Sequence, residues 1–321
     1  MDLVDRVASR LKLRDLRLLD TVVRQGSMAK AANQLNLSQP AISKAIAEME
    51  YVLGVRLIDR GRQGVEPTSY GAALLRRGMA IYDELRQGVA EIEQLSDPTT
   101  GTVRVAAPEP IGAGLLTALI TQFTQKYPRA VVHVTQTPVA SLQFLEPRYR
   151  DLRSRNVDFV VAPIFEPTLE DDLTNEPLLE DRPVIATGVS NPWARRRNVS
   201  LGDIVDEPWV LQPEDTIAGR SHIEAFAAAG LAVPGNKITS ASVHVQIGLA
   251  AAQKFFTIFP HSMMHFSATR LALKSMPINV KVAPFSVGIV RLKKRSLSPA
   301  AQEFIRMARD ITKPLRGSRL I

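Results

Sequence analysis

The sequence predicts an α/β chain that carries a separate helical head. Three observations point there. Up to Leu53, apolar residues recur at helical spacing in short runs punctuated by caps and glycines. From Ser69 to Ser96 a single long amphipathic run follows. Past Asp97-Pro98-Thr99-Thr100-Gly101, the clearest linker, β-branched runs alternate with helical stretches, the pattern of an α/β domain. A chain of 321 residues exceeds one ordinary core and implies two or three domains.

The head opens with Leu13 to Gln25, where Leu16, Leu19, Val22 and Val23 fall close to helical spacing. Gly26 stops that helix and Ser27 caps the next, Met28 to Leu35. After the turn Asn36-Leu37, Ser38 caps a third helix whose first turn holds Pro40, where the missing N–H costs nothing. It runs to about Leu53 and Gly54 closes it. Ile58 to Pro67 reads as a hairpin with glycines at its bend, and Thr68 caps the long helix. Within that helix Leu74, Gly78, Ile81, Leu85, Gly88, Ile92 and Leu95 alternate at four and three, the spacing of a coiled-coil seam. A helix packed on its own domain fits the same spacing.

In the α/β region, strands are expected at Val103 to Ala107, Val131 to Val134, Phe159 to Ala162, Val184 to Ala186, Trp209 to Leu211, Phe255 to Phe259 and Val287 to Arg291. Helices are expected at Leu115 to Lys126, at Ser221 to Ala229 before Gly230, and from Pro299 to Thr312 behind a Ser298 cap.

Composition narrows the function classes. With 45% hydrophobic and 22% charged residues the chain is a folded globular one, and no apolar run approaches the roughly 20 residues that span a bilayer. Met1-Asp2-Leu3-Val4-Asp5-Arg6 is acidic where a signal peptide is basic and apolar, so a cytoplasmic location is expected. The absence of cysteine removes disulfides, thiolate metal sites and cysteine nucleophiles. A net charge of +8 points towards a polyanion, although Arg291, Lys293, Lys294 and Arg295 read as a solvated strand end. Among the histidines only His261 and His265 lie close, without an acidic third ligand nearby, and a structural role is expected of them. No Gly-rich phosphate loop or nucleophile elbow is present, so neither an enzyme nor a cofactor is expected.

Two capped helices joined by a tight turn make a helix-turn-helix candidate, whose second helix would enter the major groove. Ile42, Ile46, Met49 and Leu53 form its buried stripe, and Ala31, Ala32 and Leu35 the facing surface. That leaves Gln39, Pro40, Ser43, Lys44 and Ala47 exposed: an amide for an adenine edge, a lysine for guanine or phosphate, and small residues that admit close approach. Arg60 and Arg62 on the hairpin would reach flanking backbone or minor groove. A helical domain with a few polar surface residues is the plain alternative.

The residues themselves are more specific. Gly26-Ser27-Met28-Ala29-Lys30-Ala31-Ala32-Asn33-Gln34-Leu35, Leu37-Ser38-Gln39-Pro40-Ala41-Ile42-Ser43-Lys44, Met49-Glu50 and Leu53 to Arg60 closely resemble the LysR-type transcriptional regulators of bacteria, and Pro67-Thr68-Ser69-Tyr70-Gly71 falls where that family starts its linker helix. Gly101 to Val105, Phe123 to Pro128, Val157 to Val161 and Ser298 to Ala301 extend the resemblance to the effector domain. The resemblance implies a winged helix-turn-helix at 11–68, a linker and dimerisation helix at 69–96, and a two-lobed α/β effector domain similar to periplasmic binding proteins at 101–321. Lobe I would be 101–162 plus 265–321, and lobe II 163–264. Double-stranded operator DNA would meet Ser38, Gln39, Pro40, Ser43, Lys44, Arg60 and Arg62. A small-molecule effector would bind between the lobes, the chains would form a homodimer and then a dimer of dimers, and RNA polymerase would be a further partner.

For the effector, Glu109, Thr137, Ser141, Thr216, Ser221 and Gln246 are the candidate contacts. Two departures from the family pattern bear on its chemistry. Pro108-Glu109-Pro110 stands where a small hydroxyl residue is common, and Gln253-Lys254-Phe255-Phe256 where glycines are usual ahead of Pro260. Glu109 would repel an anion unless a base such as Arg220 paired with it; a solvated loop acid is the other reading.

Overall fold

Three helices, α1 (Leu13–Gln25), α2 (Met28–Leu35) and α3 (Gln39–Leu53), start the computed structural model, which describes residues 7, 9–61, 64–137, 149–164, 171–252, 254–267 and 270–315. Arg62, Ser141 and Gln253 lie outside the described residues. The chain divides into two compact units, residues 1–89 and 90–321.

Local chemistry ends each helix of the head where the sequence places it. Ser27 Oγ accepts the Lys30 N–H at 3.4 Å and Ser38 Oγ the Ala41 N–H at 3.3 Å, each satisfying one orphan donor. Asn36 closes α2 in the left-handed region at φ 53°, which its short polar side chain tolerates. Leu19, Val22, Ala31, Ile42 and Ile46 are fully buried where the three helices meet. The fourth apolar position of α3 differs from the reading above: Val52 is buried and Leu53 only half-buried, because the three-residue step from Met49 keeps closer to the core face.

The wing is an antiparallel pair, β1 (Ile58–Gly61) and β2 (Gly64–Pro67). Glu50 Oε1 accepts the Leu57 N–H at 2.7 Å, and the Val65 N–H donates to the Gly26 carbonyl at 2.9 Å, so the hairpin is tied to both α3 and the first turn. Helix α4 (Ser69–Ser96) follows; Thr68 Oγ1 accepts the Gly71 N–H at 3.1 Å and donates to the Arg56 carbonyl at 2.7 Å. Gly71 is required: a Cβ there would collide with the Leu57 carbonyl oxygen. The seven-residue seam divides in two. Leu74 packs on the head core and Gly78 against Leu16, whereas Ile81, Leu85, Ile92 and Leu95 are 50–78% exposed.

The second unit holds two sheets. β3 (Thr102–Ala107) leads through a helical turn (Glu109–Ile111) and a π-helical turn (Gly112–Leu116) into α5 (Thr117–Lys126), then β4 (Val131–Gln136), β5 (Phe159–Ile164), β6 (Leu173–Asp181) and β7 (Pro183–Gly188). β8 (Trp209–Leu211), α6 (Ile217–Ala227), β9 (Lys237–Thr239), α7 (Val243–Ala252), β10 (Phe256–Pro260), α8 (His261–Ser267), β11 (Leu273–Ser275), β12 (Phe285–Leu292) and α9 (Pro299–Thr312) follow, with short helical turns between some of them. One sheet has the order β4-β3-β5-β12-β6, the other β11-β7-β10-β8-β9. Each has its own core: Phe123 meets Phe304 edge-on at 5.0 Å in the first, and Trp209 meets Phe226 at 5.1 Å in the second.

Two expectations change here. The lobes do not divide at 162/163 and 264/265: β6 pairs with β12 and β11 with β7, so the chain leaves lobe I at Arg182 and returns between Ser275 and Phe285. The basic run after β12 is not all solvated either. Lys293 and Lys294 are exposed, but Arg295 is buried and bonds the buried Asp158 at 2.9 Å, with the Val157 carbonyl as a further acceptor. Asp158 also accepts the Arg104 N–H at 2.8 Å, which joins the segment after β12 and the start of β5 to β3.

Candidate nucleic-acid interface and ligand cleft

At the N-terminus of α3, burial of Ile42, Ile46 and Met49 turns the remaining side chains outward. Ser38, Gln39, Pro40, Lys44 and Ala47 are exposed and Ser43 half-buried. Ser38 spends its hydroxyl on capping, so its part in any contact passes through the backbone. The aligned peptide dipoles of α3, with the Gln39 N–H at their open end, give this end a partial positive charge, and Lys44 adds a full one. From the wing, the exposed Arg60 donates through Nη2 to Ser43 Oγ at 3.3 Å, which brings helix and wing to one surface. That surface carries an amide, a hydroxyl, an ammonium and a guanidinium, the donor set that reads base edges and phosphates.

A cavity of about 440 Å³ lies in the second unit, with walls from both lobes. Glu109, Thr137, Thr216, Ser221 and Gln246 all line it. Several of these side chains are already engaged. Thr216 Oγ1 caps α6, accepting the Gly219 N–H at 2.9 Å and donating to the Pro213 carbonyl at 2.7 Å. Gln246 is fully buried; its Nε2 donates to the Ser240 carbonyl at 2.7 Å and its Oε1 accepts from Thr257. Glu109 is neither a solvated loop acid nor a partner of Arg220. Its carboxylate crosses to lobe II and accepts the N–H groups of His244 at 2.9 Å and Val243 at 3.1 Å, the first two of α7.

Three further lining residues escaped the sequence reading: Asp181, Gln212 and His222. Asp181 accepts from Ser262 Oγ at 2.5 Å and from the Ser262 and Arg182 N–H groups, at the point where the chain leaves lobe I. Burial raises its pKa against the opposing pull of those bonds. His222 is buried, which pushes its pKa down to about 4, so the ring is neutral near pH 7. Its Nδ1 accepts the Gln212 N–H at 3.4 Å, which puts the ring proton on Nε2. Gln212 Oε1 is buried without a hydrogen-bond partner. A single glutamine at a strand end and a single histidine in a helix carry no spacing signal, which is why neither stood out.

Among the described residues no helix is long and apolar enough to cross a membrane, and no three His, Cys, Asp or Glu side chains converge as a metal site would need.

A helix-turn-helix head ahead of a two-lobed α/β binding domain defines a class, the DNA-binding transcription regulators that carry a substrate-binding effector domain. Residues 13–72 match the bacterial regulatory helix-turn-helix protein, lysR family, and residues 96–313 match the LysR substrate binding domain. The chain belongs to the LysR family. It is 29% identical over 304 residues to the HTH-type transcriptional regulator GbpR of Azospirillum brasilense, covering 92% of this chain and 84% of that one. Among solved structures, CbnR, a LysR family transcriptional regulator, matches with a TM-score of 0.60 at 18% identity, covering 94% of this chain and all of that one. Full-length CbnR complexed with its target DNA matches with a TM-score of 0.52 at 19% identity, covering 94% of this chain and all of that one.

Proposed function

We propose that this chain acts in the cytoplasm, without catalysing a reaction, as a sequence-specific regulator that reads duplex operator DNA with the N-terminal end of α3 and responds to a small molecule held between its lobes. The observation that carries the reading is the set of exposed Gln39, Pro40 and Lys44 with half-buried Ser43, joined to wing residue Arg60 on one surface of the head. Gln39 and Lys44 meet base edges in the major groove, while Arg60 and, from the sequence, Arg62 meet the flanking backbone. Ser38, its hydroxyl spent on the Ala41 N–H, meets a phosphate through its own backbone N–H at the end of α3.

Residues 11–68 form the reading head, 69–96 the dimerising helix and 101–321 the effector domain, its lobes divided as the sheets divide. Dimerisation is supported by the exposed Ile81, Leu85, Ile92 and Leu95 at four-three spacing on α4. The cavity lined by Glu109, Thr137, Thr216, Ser221 and Gln246, with Ser141 added from the sequence, is the effector site. A ligand touching both lobes favours their closed arrangement by its differential affinity for it.

The test is fluorescence anisotropy with DNA from upstream of the neighbouring genes and random duplex as competitor. Tight binding that falls steeply with salt and prefers the upstream sequence is expected. Gln39→Ala with Lys44→Ala should abolish the preference while the circular dichroism spectrum stays unchanged; a double variant that still discriminates would move recognition elsewhere.

A further inference from the structure

The cleft already contains an anion. Glu109 stands on the turn after β3 in lobe I, and its carboxylate is seated on the N-terminus of α7 in lobe II. A helix N-terminus attracts carboxylates, because its first N–H groups lack partners and carry partial positive charge. In this cleft the chain itself fills that position. The other charged groups on the wall are either bonded within the protein or exposed to solvent. Asp181 is held by Ser262 and the Arg182 N–H. Arg220 and Glu224, both exposed, stand one turn apart on α6. His222 is neutral.

Most of the rest of the wall is apolar, with Pro108, Ile217, Val243, Ile258, Phe259 and Phe285 facing the space. Within that wall Gln212 Oε1 is a buried acceptor with no donor, on a residue 8% exposed. Leaving such a group unpaired costs about 1–3 kcal/mol, and a ligand donor recovers it. His222, whose neutral ring carries its proton on Nε2, lines the same cavity.

We infer that the effector is an uncharged molecule with an apolar body and a carboxamide or hydroxyl group, which donates to Gln212 Oε1 and accepts from His222, while Glu109 occupies the carboxylate position of the cleft. An anionic effector would have to displace Glu109 from α7 or lie against it. A cationic one finds no carboxylate on the wall without a partner of its own except at the solvent-exposed edge. The inference rests on the ligand-sensing reading given above and specifies the ligand class.

Three probes of one shape and different charge test it on the full chain by titration calorimetry: benzamide, benzoate and benzamidinium. Benzamide should bind the wild type, and Gln212→Leu should weaken it by about tenfold, the equivalent of one hydrogen bond. Benzoate should bind the wild type at least about tenfold more weakly than benzamide, and gain about tenfold in Glu109→Ala, where it replaces the missing carboxylate on α7. Glu109→Ser carries the same expectation if the alanine variant does not fold. Benzoate or benzamidinium binding the wild type as tightly as benzamide would overturn the ligand class and leave the cleft a sensor. No heat from any probe with any variant would overturn the sensing reading as well.

Discussion

The Arg60 guanidinium of the wing donates to the Ser43 hydroxyl of α3 across 3.3 Å, joining residues that lie 17 apart in sequence. Wing and helix therefore present one continuous surface, and the two residues have separable roles. Arg60→Ala should weaken operator and random DNA about equally and reduce the slope of log affinity against log salt by about 1, since one phosphate contact is lost. Gln39→Ala should instead lower the preference for operator and leave the slope in place. Anisotropy at four salt concentrations separates the two; a loss of preference in Arg60→Ala would place that residue on a base.

Assembly through α4 makes a second expectation. Leu85 is half exposed in the single chain, in line with Ile81 and Ile92. Leu85→Glu puts an ion into an apolar seam, where it finds no partner. Sedimentation velocity should show a shift towards monomer at micromolar protein, with secondary structure retained. An unchanged sedimentation coefficient would move the interface off this helix.

The buried pair Arg295–Asp158 makes lobe I sensitive to loss of either partner. Arg295→Met leaves Asp158 charged and buried with one backbone donor, which costs about 3–5 kcal/mol. Combining it with Asp158→Asn should recover part of that loss, because the remaining group no longer carries charge while an amide oxygen still meets the Arg104 N–H. Urea denaturation of the wild type and the two variants reads this directly, and equal midpoints for wild type and Arg295→Met would show the pair to be dispensable.

His222 sets a pH window. Its pKa falls from 6.5 to about 4 because burial disfavours the imidazolium. Above pH 6.5 both folded and unfolded chains hold a neutral ring, and this group leaves stability flat. Below it the unfolded chain takes up a proton that the folded chain refuses until about pH 4, so stability falls across that window, by about 3 kcal/mol when complete. His222→Gln, which keeps an acceptor for the Gln212 N–H, should flatten the dependence between pH 6.5 and 4.5 when urea midpoints are compared. A parallel decline in both proteins would assign the acid sensitivity to other groups.

The head was legible because its signals are local: Ser27, Ser38 and Thr68 each cap within three residues, and Gly26, Gly54 and Asn36 close helices in place. In the α/β unit the signals are distant. Helix α7 has no polar face over Val243–Ala252, so periodicity is silent there, and part of its N-terminal capping comes from Glu109, 134 residues earlier. Strand β6 is hidden by Pro177 and by a register shift opposite Val287 and Gly288, both tolerable on the edge strand of a sheet. The same distance explains the cleft. Sequence reading found segments that do line it, yet whether Thr216, Gln246 or Glu109 keeps a hydrogen bond to offer depends on backbone brought in from elsewhere.

Strand β12 sits between β5 and β6, although it is made long after both. The head is finished once Ser96 has been synthesised, and every strand of the second sheet lies between Pro183 and Ser275. Translation at roughly 5–20 residues per second therefore delivers a finished head and a finished second lobe while β5 and β6 still wait, with open edges, for Phe285–Leu292. Lobe I is the last part of the nascent protein to close. A ribosome stalled before Phe285 releases a chain with an intact head and two unpaired strand edges, a product fit to occupy DNA or to aggregate and unable to sense.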